Sequence, residues 1–445
     1  MNKKEAFKRL IAEEAQEPLP QVVPRIGLDM PKNTRKIVSI IGPRRCGKTY
    51  HLFGMMQDLL EAGVKRQAIL YANFEDDRLL PFDGTEIEAL MEAFHELYPE
   101  QRELRLFLDE VQNLPAWEVA VRRVSDQERA RIVLTGSSSK LISTEIATSL
   151  RGRTLTYEMQ PFSFQEALLA KGVLDPKSDN LQEALSGRQR FRLKRELEEY
   201  MEYGGFPEVV LEKDKSTRIR ILQEYLRVMV FRDIVERYAI RNTGLLDSLV
   251  RYLISNISRY FSVARFQKAT KELQNPAKRT ILAFLDHIED VRLSFLVKRY
   301  GSIKEQMVSP RKIYSIDVGF RTASGFYTAS ENGRIAENLV FLKLREASLR
   351  QPLVSIYYWS GGGSEADFVL KRGKDVFEVI QVSWDLEPSK EREVRGLVAA
   401  ARAFGLEEGT IVTSDAEDSE TVDGVRITYI PLWKWLLLYE MNEGK

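Results

Sequence analysis

Residues 37–50 constrain this chain more than any other stretch: the apolar run Ile37-Val38-Ser39-Ile40-Ile41 leads directly into Gly42-Pro43-Arg44-Arg45-Cys46-Gly47-Lys48-Thr49-Tyr50. The run has the composition of a buried strand, and residues after Thr49, to about 60, carry apolar positions at helical spacing. Between them lies G-x-x-x-x-G-K-[ST]. Gly42 and Gly47 let the backbone curl so that its N–H groups converge on an anion at a helix N-terminus. Lys48 then reaches the β- and γ-phosphates of a nucleotide, and Thr49 offers its hydroxyl to Mg2+. Pro43, Arg44, Arg45, Cys46 and Tyr50 complete the expected cradle. A strand that feeds such a loop belongs to an α/β fold with a parallel sheet.

Composition narrows the setting. The 445 residues suit several domains, and 44% hydrophobic with 29% charged is ordinary for globular protein. Lys+Arg 66 against Asp+Glu 65 gives a net charge of +1, so any basic surface must be local. With one cysteine, Cys46, and three histidines, a disulfide framework and a zinc site are excluded, and a reducing cytoplasm is the expected location. Cys46 is expected to pack beside the nucleotide rather than react. The N-terminus lacks the apolar core of a signal peptide, and the apolar stretch 429–439 carries Lys434 and is too short to span a bilayer, so it reads as a buried terminal helix.

The second half of a nucleotide site is expected at 104–110, where Leu104-Arg105-Leu106-Phe107-Leu108 closes on Asp109-Glu110. Asp109 at the strand end would hold Mg2+ through water, and Glu110 would polarise the attacking water of ATP hydrolysis. Further strands are predicted at 68–74, 130–134 and 154–159. The 130–134 strand stops at Thr135-Gly136-Ser137-Ser138-Ser139, which places Thr135 or Ser137 where a hydroxyl feels the γ-phosphate; equally, these residues could only turn and cap the next helix. In Ser149-Leu150-Arg151-Gly152-Arg153, two guanidinium groups flank a glycine. Such arginines are often solvated, but an oligomeric ATPase needs a cation supplied by its neighbour, and Arg153 is preferred over Arg151. Leu185-Ser186-Gly187-Arg188-Gln189 follows the Asp109-Glu110 strand instead of preceding it, so it is not a transporter signature, and no Asn-Lys-x-Asp accompanies Ser138-Ser139-Lys140 to favour GTP.

Together the loop, Leu108-Asp109-Glu110-Val111-Gln112 with Trp117, Leu134-Thr135-Gly136-Ser137-Ser138, Gly152-Arg153, Pro161-Phe162-Ser163-Phe164-x-Glu166 and Gly204-Gly205-Phe206-Pro207 resemble a family of prokaryotic AAA+ ATPases. That family joins the ATPase core to a C-terminal domain of unknown function with a restriction-endonuclease-like fold. The resemblance covers most of the chain and implies ATP binding and hydrolysis, and assembly into a ring or partial ring.

The chain then divides into a helical lead-in at 1–30, an AAA+ core at 31–163, a helical lid at 164–240, a winged helix at 241–328 and a nuclease-like α/β domain at 329–445. The winged helix is read from three helical blocks between 245 and 300, the third capped by Asn275 with Pro276 at its first position, followed by strands near 293–298 and 312–316. Helix-turn-helix modules set the last helix into the major groove, and Arg259, Arg265, Lys268, Lys271, Lys278 and Arg279 would meet phosphates. The alternative is a module used for protein contacts only. In the last domain Glu337, Asp367 and Glu378 have the order of a PD-(D/E)xK nuclease, in which acids from a helix and two strands meet at one metal. Such enzymes also need a lysine two residues beyond the second acid. If Glu378 is that acid, the lysine's place is Ile380; if Gln381 marks the lysine's place, the acid's is Val379. Either register lacks a group, so an inactive nuclease fold is expected unless Lys371 or Lys374 substitutes. The reading is therefore an oligomeric, Mg2+-dependent ATPase working on or near DNA, without a membrane. A nucleotide-controlled scaffold with protein partners is the rival, and an active nuclease the third reading.

Overall fold

Five apolar runs form the first sheet: β1 (Ile37–Ile41), β2 (Ile69–Asn73), β3 (Leu104–Asp109), β4 (Ala130–Gly136) and β5 (Thr154–Glu158). The structure is a computed structural model and describes residues 3–28, 30–31, 34, 36–127, 130–136, 150, 152–175, 188–271 and 276–441. All five strands run parallel in the order β2-β3-β4-β1-β5. Every residue of β1 is buried, as expected of a strand covered by helices on both faces. Because β4 stands between β1 and β3, the ends of all three strands share one sheet edge, where open α/β sheets bind ligands. The helix Lys48–Glu61 starts at that edge. Helix Lys3–Gln16 packs Phe7 and Ile11 with Ile87, Leu90 and Phe94 of helix Glu86–Leu97, and Lys3 pairs with the buried Glu86.

Met1–Gln160 is one compact unit; Pro161–Lys445 is a second. The second begins with helices Phe164–Ala170, Arg188–Tyr203, Pro207–Leu211 and Lys215–Val228, the last continuing as a π-helical segment to Glu236. The sequence then gives helix Thr243–Ser255, β6 (Tyr260–Phe261), helices Val263–Thr270 and Lys278–Asp290, β7 (Ser294–Val297) and β8 (Arg311–Ser315). These three strands form an antiparallel sheet ordered β6-β8-β7. Asn275 lies outside the described residues, and the helix beyond it starts at Lys278 with Ala277 at its N-cap, later than Pro276 suggested.

Helix Asn332–Arg350 leads to a six-stranded sheet of β9 (Val354–Gly361), β10 (Ser364–Arg372), β11 (Asp375–Ser383), β12 (Glu408–Thr413), β13 (Asp418–Val422) and β14 (Val425–Pro431). Its order is β13-β14-β12-β11-β10-β9; β9, β10 and β11 are antiparallel, while β11, β12 and β14 are parallel. The stretch expected to be one terminal helix, 429–439, instead completes β14 and only then forms helix Leu432–Leu438. Val425, Ile427 and Tyr429 are buried while Arg426 and Thr428 are exposed, a period of two that decides for strand. A continuous apolar core runs from Phe164 to Met441. Among the described residues no helix is long and apolar enough to cross a membrane.

Candidate functional site

The loop between β1 and helix Lys48–Glu61 closes tightly on its own backbone. A Cβ at Gly42 would come within 2.2 Å of the Met159 carbonyl oxygen, so only glycine allows this approach. Gly47 stands at φ 100°, where a side chain would be strained, and turns the chain into the helix. The lead-in holds the loop from behind: Arg25 donates to the carbonyls of Cys46 and Gln160, and Gln57 donates to Pro20 O at 2.7 Å. Cys46 is fully buried and burial pushes its thiol pKa up, so it packs and does not react. Arg44 pairs with Glu75 at 2.9 Å, whereas Arg45 and Tyr50 are exposed.

Lys48 Nζ lies 3.3 Å from Gly42 O, 3.1 Å from Pro43 O and 3.4 Å from Glu110 Oε1. Burial opposes its charge, but Glu110, Cys46 and Asp109 outweigh that and raise the pKa, so the ammonium stays charged. Hydroxyls converge on Asp109: Thr49 donates to Oδ2 at 2.7 Å, Tyr71 to Oδ2 at 3.1 Å and Thr135 to Oδ1. Desolvation raises the Asp109 pKa, with Thr135 and Thr49 working against it. Strand register explains the convergence, since Leu108 pairs with Leu134 and Asn73 with Asp109. Glu110 takes a left-handed backbone at φ 52°, unusual for glutamate; its N–H donates to Thr135 Oγ1 at 3.0 Å and its carboxylate accepts from Gln112. The oxygen-only set of Thr49 and Asp109 beside a buried lysine fits a hard divalent cation with a polyphosphate.

Ser137 and Arg151 lie outside the described residues. Arg153 stands just before β5, where its carbonyl accepts from Ile37 N and its guanidinium pairs with Asp126 at 3.1 Å. That is the N-terminal edge of the sheet, opposite the phosphate loop, so Arg153 cannot act on the site of its own chain. Sequence reasoning missed Tyr71 and Arg25; Tyr71 was detectable as a polar group in the strand beside Asp109.

In the second unit Arg265, Lys268, Lys278 and Arg279 are all exposed. Gln267 donates to Pro276 O at 2.8 Å, which ties helix Val263–Thr270 to the approach of helix Lys278–Asp290. None of the four cations lies within ion-pair distance of a carboxylate among the described residues. Arg259, by contrast, is 3.6 Å from Glu331.

The acids expected in the C-terminal domain are brought together only in part. Phe368 pairs with Ile380, so Gln381 lies opposite Asp367, and Gln381 Oε1 accepts from Asp367 N at 2.9 Å. Gln381 and, two residues on, Ser383 are both buried on one face of β11, so Gln381 rather than Glu378 is the β11 residue set beside Asp367. Glu378 is three residues from Gln381, on the other face of β11, and accepts from Tyr439 OH at 2.8 Å. Lys371 approaches the Tyr300 ring at 6.0 Å and Lys374 is exposed. The cation that does enter is Lys312 of β8. Its Nζ lies 2.7 Å from Asp367 Oδ1, 2.8 Å from Glu365 Oε1 and 3.3 Å from Glu337 Oε1, and Glu337 also accepts from Tyr314 OH at 2.6 Å. Neither Lys312 nor Glu365 was identified from sequence. Glu365 could have been, by its i, i+2 relation to Asp367; Lys312, 55 positions from Asp367 in the chain, gave no local signal.

Three family descriptions match the chain: an AAA domain at 34–168, a domain of unknown function (DUF8612) at 194–329 and another (DUF4143) at 332–435. The uncharacterized protein MJ1544 of Methanocaldococcus jannaschii is 35% identical over 412 residues, covering 91% of this chain and 89% of that protein. An uncharacterized protein of Haemophilus influenzae is 28% identical over 406 residues, covering 90% and 95%. Among solved structures, the Walker-type ATPase PABY2304 of Pyrococcus abyssi aligns with TM-score 0.41 and 13% identity, over 72% of this chain and 95% of that one.

Proposed function

The chain belongs to the family of the uncharacterized Methanocaldococcus jannaschii protein MJ1544 and carries an AAA domain, and from that premise we propose that it is an oligomeric Mg2+-dependent ATPase acting on DNA. The observation that carries the ATPase reading is the convergence of Thr49, Tyr71 and Thr135 on Asp109, next to the Lys48–Glu110 pair. Lys48 and the loop amides hold the phosphates of ATP, with Gly42 and Gly47 permitting their approach. Thr49 and Asp109 would hold Mg2+, which when bound neutralises phosphate charge. Glu110 accepts the proton of the attacking water, oriented by the Thr135 bond to its N–H and by Gln112. Thr135 is also in place to sense phosphate through the same hydroxyl. Steady-state ATP hydrolysis with and without duplex DNA is the test: stimulation supports the reading, and turnover indifferent to DNA favours a switch that works through proteins.

Arg153 is the cation offered to a neighbouring subunit. Mixing Arg153→Ala with Lys48→Ala chains is expected to restore part of the ATP turnover that each lacks, because a mixed interface pairs an intact loop with an intact arginine. Absence of recovery in mixtures that still co-assemble would remove Arg153 from this role.

The DNA reading rests on the order helix, strand, helix, helix, strand, short helix, strand over 243–315 and on the exposed cations of its second and third helices. Replacing Lys278 and Arg279 together with alanine is expected to weaken duplex binding by about tenfold near 0.1 M salt. The log–log salt slope should fall by about 2, since each lost phosphate contact removes one released counterion. Equal affinity and equal slope, measured by fluorescence anisotropy, would return the module to protein contacts. One observation favours that second reading: Ile303, Met307 and Val308 on the short helix between β7 and β8 are 77–80% exposed. The nuclease-like C-terminal domain is taken not to cut nucleic acid, and Asp367-dependent cleavage of DNA or RNA in Mg2+ or Mn2+ would overturn that part.

A further inference from the structure

A nuclease-like fold implies a divalent cation among Glu337, Glu365 and Asp367, and the residues present do not fit one. The position where their oxygens converge is occupied by a side chain of the same protein. Lys312 is 3% exposed, and its ammonium contacts all three carboxylates at 2.7–3.3 Å, against the 2.0–2.6 Å that Mg2+ or Ca2+ requires of oxygen ligands. Among the described residues no group of three His, Cys, Asp or Glu is arranged to hold a metal ion. Two of these acids are also held by other donors. Asp367 Oδ2 accepts from Val382 N at 3.0 Å, and Glu337 accepts from Tyr314 OH. Gln381, beside Asp367, is tied on one side to Asp367 N and on the other to Glu393 Oε2 at 2.6 Å. Two rings face the ammonium as well: Nζ lies 5.7 Å from the Tyr260 ring centroid and 5.9 Å from that of Tyr358.

We propose that Lys312 is the resident cation of this carboxylate site, a permanent internal counter-ion that excludes divalent metal and fastens the β6-β8-β7 sheet to the C-terminal sheet. Geometry supplies the reason. Lys312 comes from β8, Glu337 from helix Asn332–Arg350, and Glu365 and Asp367 from β10, so one ammonium joins three elements, adding to the Ser315–Asn338 and Tyr314–Glu337 hydrogen bonds that already tie β8 to that helix. A metal would neutralise the same carboxylates but would leave Lys312 buried without partners, which is a steep cost for a charge. Because the ammonium is covalently part of the chain, it is always at the site, and no change in metal supply displaces it. The site thereby loses the chemistry of its fold and keeps its cohesion.

This inference rests on reading the C-terminal domain as nuclease-like and non-cutting, and the two fail separately. Mn2+ binding to the nucleotide-free full-length protein, followed by electron paramagnetic resonance of the free ion, is compared for wild type, Asp367→Asn, Lys312→Ala and the double variant. The expected result is equal Mn2+ uptake by wild type and Asp367→Asn, one further equivalent bound by Lys312→Ala, and loss of that equivalent in the double variant. A wild-type Mn2+ site that disappears in Asp367→Asn would overturn the proposal, as would a folded Lys312→Ala chain that gains no site. If Lys312→Ala fails to fold, the comparison of wild type with Asp367→Asn decides alone. Nucleic-acid cleavage that disappears in Asp367→Asn, without an Asp367-dependent Mn2+ site, would instead count against the non-cutting reading and leave the lysine assignment standing.

Discussion

Lys48→Ala is expected to abolish ATP binding, whereas Glu110→Gln is expected to keep ATP bound while turnover falls by roughly 100-fold or more. The two residues touch at 3.4 Å, yet they do separate jobs. Lys48 is buried under the loop with the Gly42 and Pro43 carbonyls as its other partners, and alanine there removes a buried positive charge that polyphosphate can draw on. Glutamine at 110 keeps the shape, the backbone bond to Thr135 and a hydrogen-bonding partner for Gln112, and removes only the capacity to take a proton. Calorimetric titration with ATP and a phosphate-release assay separate the outcomes. Turnover unchanged in Glu110→Gln would take the base assignment away from this residue, and ATP affinity unchanged in Lys48→Ala would take the phosphate site away from the loop.

What could be read from the sequence was whatever is written locally. Gly42 to Thr49 is a contiguous motif whose spacing encodes its backbone, and the strand ending in Asp109 is a contiguous apolar run, so both were legible. The role of Thr135 was half legible: its position after a strand was plain, but the choice between capping a turn and facing the site required the register Leu108 to Leu134. The C-terminal cluster was legible only in part, because its acids come from a helix and one strand while its cation comes from β8. Period-two reasoning along β11 left two registers, one from Glu378 and one from Gln381 as the lysine's place; the pairing of Phe368 with Ile380, which sets Gln381 opposite Asp367, links two strands and is not written in β11 alone. The motif Gly204-Gly205-Phe206-Pro207 was visible as a turn; that it is held by a carboxylate 112 positions away was not.

That carboxylate, Asp317, sets the second large expectation: Asp317→Asn should lower the melting temperature of the protein at pH 5, and the difference from wild type should shrink at pH 8. Asp317 is buried after β8, with Oδ2 accepting from Gly205 N at 2.7 Å and Oδ1 from Gly319 N at 2.8 Å. Desolvation dominates its environment, and although the N–H groups of Gly205, Gly319 and Phe206 pull the other way, its pKa is pushed up to about 7. A carboxyl whose folded pKa lies above its ordinary 3.8 contributes stability that is full below about pH 4 and is lost as pH rises through 7. Glu378, raised to about 7 by burial with Tyr439 OH opposing, adds to the same decline, so wild-type stability should fall between pH 5 and pH 8. Asparagine cannot titrate, and its NH2 must face one of two N–H donors that the acid satisfied, a loss of roughly 1–3 kcal/mol for a buried unsatisfied group. For a body of this size that corresponds to about 5 °C at pH 5. At pH 8 the wild type holds a buried charge that asparagine does not, so the gap narrows, while the slope due to Glu378 remains in both proteins. Equal gaps at the two pH values would show that Asp317 does not change charge in this window, and calorimetric scans at pH 5, 6.5 and 8 measure it directly.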